Sequence, residues 1–175
     1  MVVITISGTP GSGKSTIAQL LHDKLGVPYI YSGMIFRQTA EKYKTTLEEF
    51  GKFCEENSKI DKELDAQQVE ILKKGNVILE GRLSGWLAYK NNIPAFKIMI
   101  DADTDIRAKR IVKREKGNIK IRKKEILERE RSETARYFKY YNIDLKNNSI
   151  YDLVIDSSDK KPEKIIKMII EKIKG

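Results

Sequence analysis

Short apolar segments alternate along this chain with longer segments in which apolar residues recur every three or four positions. The short segments are rich in Val and Ile and predict buried strands: residues 2–7, 28–31, 77–79, 96–100 and 153–155. The periodic segments predict helices: residues 15–25, 104–116, 122–141 and 162–174. Strands that alternate with helices favour an α/β fold in which a five-stranded parallel sheet is flanked by helices.

Two long stretches, residues 33–75 and 115–145, are too rich in charged residues for helices that cover a sheet. The first is predicted to be helical in two or three pieces. We interpret both as insertions over the carboxyl edge of the sheet, where ligands bind in such folds. Residues 1–32, 76–114 and 146–175 then form the core of a single domain that spans residues 1–175.

Composition narrows the class of protein. The chain has 175 residues, of which 40 % are hydrophobic and 34 % charged, so the signature of a disordered chain is absent. The net charge of +9 favours anionic partners such as nucleotides. Cys54 is the only cysteine and His22 the only histidine, which excludes an intramolecular disulfide and disfavours a zinc site. The sequence shows no signal peptide and no membrane-spanning run, so we expect a cytoplasmic protein. We also expect a monomer.

A glycine-rich segment follows the first predicted strand and matches the pattern G-x-x-x-x-G-K-[ST]. It comprises Gly8, Thr9, Pro10, Gly11, Ser12, Gly13, Lys14 and Ser15, and Thr16 follows. In such a loop the backbone N–H groups point at phosphate oxygens, and the positive end of the next helix faces the anion. The pattern predicts an ATP site in which Lys14 bridges the β- and γ-phosphates and the Ser15 hydroxyl binds Mg²⁺.

Among phosphate-loop proteins, a small kinase fits the rest of the sequence best. A GTPase needs [NT]-K-x-D after a late strand, and the nearest string, residues 58–61, follows no strand. A kinase with a phosphorylated acceptor needs further cations near the loop. Ser32-Gly33 follows the second predicted strand, with Arg37 one turn later, and Gly81-Arg82 follows the third. We therefore expect these residues to lie over one crevice at the carboxyl edge of the sheet.

Along nearly its whole length the chain resembles the cytidylate kinases, especially the short archaeal type. The matching strings are GTPGSGKST, YSGMIFR, the region of Asp61 and Asp65, LEGRLSGW, RIVKR, and residues 129–137. The resemblance implies the phosphate-loop NTPase fold, with a monophosphate-binding insertion at 33–75 and a lid at 115–145. It also implies roles for the crevice residues. Ser32, Gly33 and Arg37 would hold the acceptor nucleotide and Gly81 and Arg82 its phosphate, while the region of Asp61 and Asp65 would close over the base.

The predicted lid helix carries Arg129, Glu133 and Arg136, whose spacing of four and seven residues places them on one helical face. In the family the two arginines at this spacing reach the transferred phosphoryl group and the acid orients them. Here the acid is Glu133, where longer bacterial members have Asp. The resemblance further implies that Arg110 stacks on adenine and that Arg114 contacts ATP phosphates, with Arg107 as a weaker candidate.

Together with the phosphate-binding loop, this resemblance implies ATP- and Mg²⁺-dependent phosphorylation of CMP and dCMP in pyrimidine nucleotide metabolism. Adenylate kinase and a kinase of a phosphate-free metabolite such as shikimate are the alternatives within enzymes. A nucleotide-regulated nucleic-acid-binding module is the alternative outside them, but no aromatic and basic platform for a single strand stands out. The choice among CMP, dCMP and UMP, the base-reading role of Asp61 or Asp65, and the help of Glu80 or Asp101 to Mg²⁺ stay open.

Overall fold

Five parallel strands form one sheet in the part of the chain that the computed structural model describes, residues 2–46, 49–50, 53–54 and 57–174. They are β1 (Val3–Gly8), β2 (Tyr29–Tyr31), β3 (Val77–Glu80), β4 (Phe96–Asp101) and β5 (Leu153–Asp156), in the order β2-β3-β1-β4-β5. Each neighbouring pair is parallel. The predicted five-stranded parallel sheet is confirmed, and its carboxyl ends all meet at one edge.

Seven helices have described bounds; six of them lie between strands in the chain and the last follows β5. They are α1 (Lys14–Leu25), α2 (Ser32–Lys42), α3 (Ser58–Lys74), α4 (Ser84–Lys90), α5 (Thr104–Glu115), α6 (Ile119–Tyr141) and α7 (Pro162–Lys174). The charged helix α6 begins three residues before its predicted start, because the Asn118 side chain accepts hydrogen bonds from the N–H groups of Lys120 and Ile121. Helix α4 was not predicted. It has only seven residues and the first five are all buried, so no helical spacing of apolar and polar positions is visible in the sequence.

The apolar core lies on both faces of the sheet. On one face α1 and α7 pack against the sheet through residues such as Leu21 and Ile166. On the other face Val69 and Leu72 of α3 belong to the same buried cluster as Leu79 and Trp86. The expectation that no helix of residues 33–75 covers the sheet is therefore wrong for the carboxyl-terminal half of α3.

Helices α5 and α6 form a hairpin that extends from this core. The connection between Glu115 and Ile119 is short, and its residues Lys116 and Gly117 adopt positive φ angles of 62° and 106°. The hairpin has its own small buried cluster of Ala108, Ile111 and Ile126. Across the described ranges, none of the helices is long and apolar enough to cross a membrane.

Candidate active site

A cavity of about 570 Å³ opens at the carboxyl edge of the sheet. Residues of the glycine-rich loop, the start of α2, the face of α3, the turn after β3 and the cavity-facing side of α6 line it. Many of the residues predicted for the site are among them: Gly8, Pro10, Gly11, Gly13, Lys14, Ser15, Thr16, Ser32, Gly33, Asp61, Asp65, Gly81, Arg82, Arg114, Arg129, Glu133 and Arg136. Segments that are distant in sequence therefore share one concave surface, as expected of a small-molecule site.

Residues at the ends of β4 and β5 pack against the glycine-rich loop and form hydrogen bonds with it. A Cβ atom on Gly8 would lie 2.1 Å from the carbonyl oxygen of Ile100, so the close approach requires glycine there. The Thr9 hydroxyl donates to Asp101 Oδ1 at 2.5 Å, and the Ser157 hydroxyl donates to the Ser12 carbonyl at 2.7 Å. Gly13, with φ of 95°, precedes α1 and directs the amino end of that helix at the cavity. This geometry suits an anion such as a phosphate group.

Lys14 places a cation in the cavity beside a carboxylate. Its Nζ donates to the Thr9 carbonyl at 3.1 Å and lies 4.0 Å from Glu80 Oε1. Burial lowers the pKa of Lys14, and Glu80 opposes that effect. The Tyr29 hydroxyl donates to Glu80 Oε2 at 2.6 Å, and burial together with this bond raises the pKa of Tyr29. Glu80 is thus a fixed carboxylate next to the loop.

Glu133 binds two arginines from different parts of the chain. Arg129 Nε donates to Glu133 Oε1 at 2.8 Å, and Arg82 Nε donates to Glu133 Oε2 at 2.8 Å. The Glu133 side chain is only 8 % exposed, whereas the Arg129 side chain, which also lines the cavity, is 66 % exposed. Sequence spacing predicted the contact between Glu133 and Arg129, but the contact to Arg82, 51 residues away, had no signal in the sequence.

A second cluster of polar side chains lies where α3 meets the carboxyl-terminal half of α6. The Tyr141 hydroxyl donates to Asp65 Oδ2 at 2.5 Å, and Gln68 Nε2 donates to Asp65 Oδ1 at 3.1 Å. Burial raises the pKa of Asp65 to about 6, although the bond from Tyr141 lowers it. Arg136 Nη1 lies 3.7 Å from Asp61 Oδ2, and burial raises the pKa of Asp61 against the effect of Arg136. These side chains can form hydrogen bonds with a ligand that enters between the two helices.

Sequence reasoning missed Gln68, Tyr137 and Tyr141 at this place. Gln68 and Tyr137 line the cavity, and Tyr141 contacts Asp65 from behind it. A signal for Gln68 was present, because it continues the i, i+4 series of buried residues Ile60 and Leu64 on α3. A polar residue in an otherwise apolar helical stripe indicates a polar contact in the interior.

The structure does not bring every predicted residue into the cavity. Arg37 is exposed, lies outside the cavity lining, and donates to the hydroxyl of Tyr31, which lines it. The role of Arg37 in holding the acceptor nucleotide therefore stays a prediction, and its location outside the cavity does not support that role. Thr9 and Ser12 also lie outside this lining. Their contacts to Asp101 and Ser157 fix the loop, and Ser12 lines a smaller cavity on its other side.

A smaller cavity of about 290 Å³ adjoins the glycine-rich loop on its other side. Arg110, Ser157 and Lys160 line it, and Arg114 lines both cavities. The Arg110 guanidinium donates to the Ser157 hydroxyl at 3.0 Å, to the Ser157 carbonyl at 2.6 Å and to the Ser12 carbonyl at 3.3 Å. It is therefore a fixed, flat cation on which an aromatic base could stack.

Arg107, suggested by the sequence as a further ATP contact, occupies a different environment. It is 4 % exposed and belongs to neither cavity lining. Its guanidinium donates to the carbonyl of Ala102 at 2.9 Å and to Glu130 at 2.8 Å. A direct contact between Arg107 and ATP is therefore not supported.

The donor set of the main cavity fits a magnesium ion carried by a nucleotide. Among the described residues no group of three or more His, Cys, Asp or Glu side chains could hold a metal ion alone. Mg²⁺ usually binds through one or two oxygen ligands of the protein together with substrate phosphates. Ser15 and Glu80 line the cavity and supply such oxygens. Asp101 lies outside the lining and its Oδ1 accepts from Thr9 and from the Ala102 N–H, so Glu80 is the better placed carboxylate.

A family model and several known proteins are similar to this chain in sequence. The model of the cytidylate kinase-like family matches residues 3–159. A cytidylate kinase of Methanococcus vannielii is 47 % identical over 158 residues, which cover 90 % of this chain and 91 % of that protein. A cytidylate kinase of Methanocaldococcus jannaschii is 47 % identical over 90 % of this chain and 89 % of that protein. One from Pyrococcus horikoshii is 40 % identical over 96 % and 86 %, respectively.

Solved structures with a similar fold are more distant in sequence. A protein of Eubacterium ventriosum described as uncharacterized superposes with a TM-score of 0.75 at 17 % identity, over 100 % of this chain and 99 % of that chain. A shikimate kinase of Bacteroides thetaiotaomicron gives a TM-score of 0.65 at 14 % identity, over 99 % of both chains. At such low identity these likenesses show the fold alone, and they confirm the predicted class of fold.

Proposed function

This chain belongs to the cytidylate kinase-like family, and on that premise we propose that it transfers the γ-phosphoryl group of ATP to CMP, with dCMP as a second acceptor. The observation that carries the proposal is the contact of Glu133 with both Arg82 and Arg129 in the cavity that contains Lys14. These cations come from separate elements and meet on one side of the glycine-rich loop. Such convergence is what the transfer of a charged group between two anions requires.

The two cavities suggest how donor and acceptor are arranged. The glycine-rich loop borders both, so the ATP phosphates would lie on the loop while adenine enters the smaller cavity beside Arg110. The acceptor would enter the larger cavity between α2, α3 and α6, with its phosphate at Arg82 and its base near Asp61 and Asp65. When bound with ATP, Mg²⁺ would be held by Ser15 and Glu80 and would offset phosphate charge.

The residues of the site favour catalysis by positioning rather than by a general base. The acceptor phosphate is already anionic near neutral pH and can attack the γ-phosphorus directly. His22, the single histidine, lies in the last turn of α1 with Nδ1 2.8 Å from the Val27 carbonyl, and it lines neither cavity. Lys14, Arg82, Arg129 and Arg136 would orient the two nucleotides and neutralise the charge that builds up between them. Closure of α6 over the cavity would exclude water and limit hydrolysis of ATP.

Two observations separate this proposal from its alternatives. Three arginines line the acceptor side of the cavity, Arg82, Arg129 and Arg136, and such a set suits a phosphorylated acceptor better than a phosphate-free metabolite. The turn after β3 reads Glu80-Gly81-Arg82-Leu83, and differs from the aspartate-glycine-phenylalanine-proline-arginine string that adenylate kinases typically have there. Action as a monomer in the cytoplasm stays a prediction from the sequence.

A panel of acceptors tests the proposed function. We expect ATP-dependent ADP formation with CMP at the highest kcat/KM, dCMP next, and UMP and AMP lower by about tenfold or more, since wrongly paired buried polar groups cost binding. Reactions without acceptor measure the background hydrolysis of ATP. A higher kcat/KM for AMP or for shikimate than for CMP would contradict the proposal.

A further inference from the structure

The buried guanidinium group of Arg107 contacts three parts of the chain that must act together. Its Nε donates to the carbonyl of Ala102, directly after β4, at 2.9 Å. Its Nη1 donates to the carbonyl of Pro10 in the glycine-rich loop at 3.4 Å and to Glu130 of α6 at 2.8 Å. Arg107 thereby joins the sheet, the phosphate-binding loop and the long helix that carries Arg129.

The pair of Arg107 and Glu130 has a demanding geometry. A second bond runs from Arg107 Nη2 to Glu130 Oε2 at 3.4 Å, and the two side chains are 5 % and 20 % exposed. A bidentate contact fixes the relative orientation of its two partners as well as their distance. Burial of two charges is costly unless they are paired. Arg107 Nε also lies 3.9 Å from Asp101 Oδ1, so Glu130, at 2.8 Å, is the closer of two carboxylate partners. The pair thus favours a single placement of α6 against α5.

Besides this pair, an exposed ion pair of Lys123 with Asp105 and a small apolar cluster join α5 and α6. Among the described residues, the buried apolar cluster of the hairpin consists of Ala108, Ile111 and Ile126. Ile126 and Glu130 are four residues apart and therefore form the face of α6 that meets α5. Arg129 and Glu133 form the adjacent face, which lines the cavity. A small rotation of α6 about its axis would therefore move Arg129 away from the cavity.

The loop itself packs directly on the backbone of Arg107. A Cβ atom on Gly11, where φ is 79°, would lie 2.8 Å from the Arg107 carbonyl oxygen. The side chain of the same residue reaches the Pro10 carbonyl. A displacement of Arg107 would consequently shift the loop as well as α6, because tightly packed groups move together.

We propose that Arg107 and Glu130 are positioning residues that hold α6 in register with the phosphate-binding loop, so that Arg129 and Glu133 face the phosphoryl group in transfer. The inference rests on the proposed function, because it gives the pair a role in phosphoryl transfer. Neither side chain lines a cavity that would hold nucleotide. Their effect on catalysis therefore acts through the placement of other groups.

The substitution Glu130→Gln tests this role, with Glu128→Gln as its matched control. Gln keeps the volume of Glu130 but removes its charge and places an amide donor near the guanidinium. We expect kcat to fall about ten- to a hundredfold, as a small misplacement of catalytic groups does, while KM for CMP changes less than about twofold. Glu128 lies on the same helix with a side chain 61 % exposed, and Glu128→Gln should leave kcat unchanged.

Amide hydrogen exchange separates a positioning role from a general stabilising one. In Glu130→Gln we expect faster exchange along α6 and unchanged exchange in β1 and β4, because both sheet cores exclude the pair. Exchange and kcat equal to those of Glu128→Gln would overturn the inference. Equal loss of protection in α6 and in the sheet would overturn it too. Absence of CMP-dependent turnover in the unsubstituted protein would instead contradict the proposed function. The two failures can be distinguished, because the exchange comparison needs no acceptor nucleotide.

Discussion

Replacement of Lys14 with Met is expected to lower kcat about a thousandfold, while the protein stays folded. Lys14 Nζ lies in the cavity close to Glu80, and its pKa is lowered by burial, by the nearby Arg82 and by the nearby Arg129. A cation held in so dry a place interacts strongly with phosphate oxygens and needs little reorganisation during transfer. Met fills most of the same volume and removes only the charge.

Single-turnover kinetics and thermal unfolding check this expectation together. The matched control is Lys24→Met, since Lys24 is an exposed lysine on the same helix. We expect an unfolding temperature for Lys14→Met close to that of the unsubstituted protein, because removal of a buried cation removes a desolvation cost. Turnover of Lys14→Met within tenfold of that control would contradict the assignment of Lys14 to the transferred phosphoryl group.

The fold was predictable because its signals are local. A run of apolar β-branched residues, a glycine-rich turn and an amphipathic helix follow one another in β1, the loop and α1, so neighbouring residues carry the whole pattern. Helix α4 has no such signal, because it has only seven residues and Trp86, Leu87 and Ala88 are consecutive buried residues, which show no helical spacing. The core position of Trp86 likewise depends on packing between elements, which the sequence does not display.

The candidate site was predictable in its charged residues but not in their partners. Helical spacing relates Arg129 to Glu133, whereas the contact of Glu133 with Arg82 depends on how α6 crosses the end of β3. The same limit applies to Arg107, whose partner Glu130 lies 23 residues along the chain. Ion pairs between elements follow from tertiary geometry, and residue spacing gives information only within one element.

Replacement of Arg129 with Ala is expected to lower kcat about a thousandfold, with much smaller changes in KM for either nucleotide. Arg129 is held by Glu133 at the cavity and would meet the phosphoryl group chiefly in the transition state. An interaction made mainly in the transition state affects kcat rather than KM. Its side chain is 66 % exposed, so the pair with Glu133 contributes little to folding, on the order of 0–1 kcal/mol.

Arg131→Ala is the matched control for this substitution, because Arg131 is exposed on the same helix and lies outside the cavity lining. Steady-state rates with ATP and CMP varied in turn give kcat and both KM values. Near-normal turnover of Arg129→Ala would remove Arg129 from the catalytic residues. A rise in KM for CMP with unchanged kcat would place it in acceptor binding instead.

In the proposed mechanism, two nucleotides face each other across one cluster of cations. Binding of a compound that joins adenosine and cytidine through five phosphates tests this arrangement directly, because the compound can occupy both nucleotide positions at once. We expect it to compete with ATP and with CMP, and to bind at least about a hundredfold more tightly than either one. Competition with ATP alone, at an affinity no better than that of ATP, would contradict a shared site for donor and acceptor.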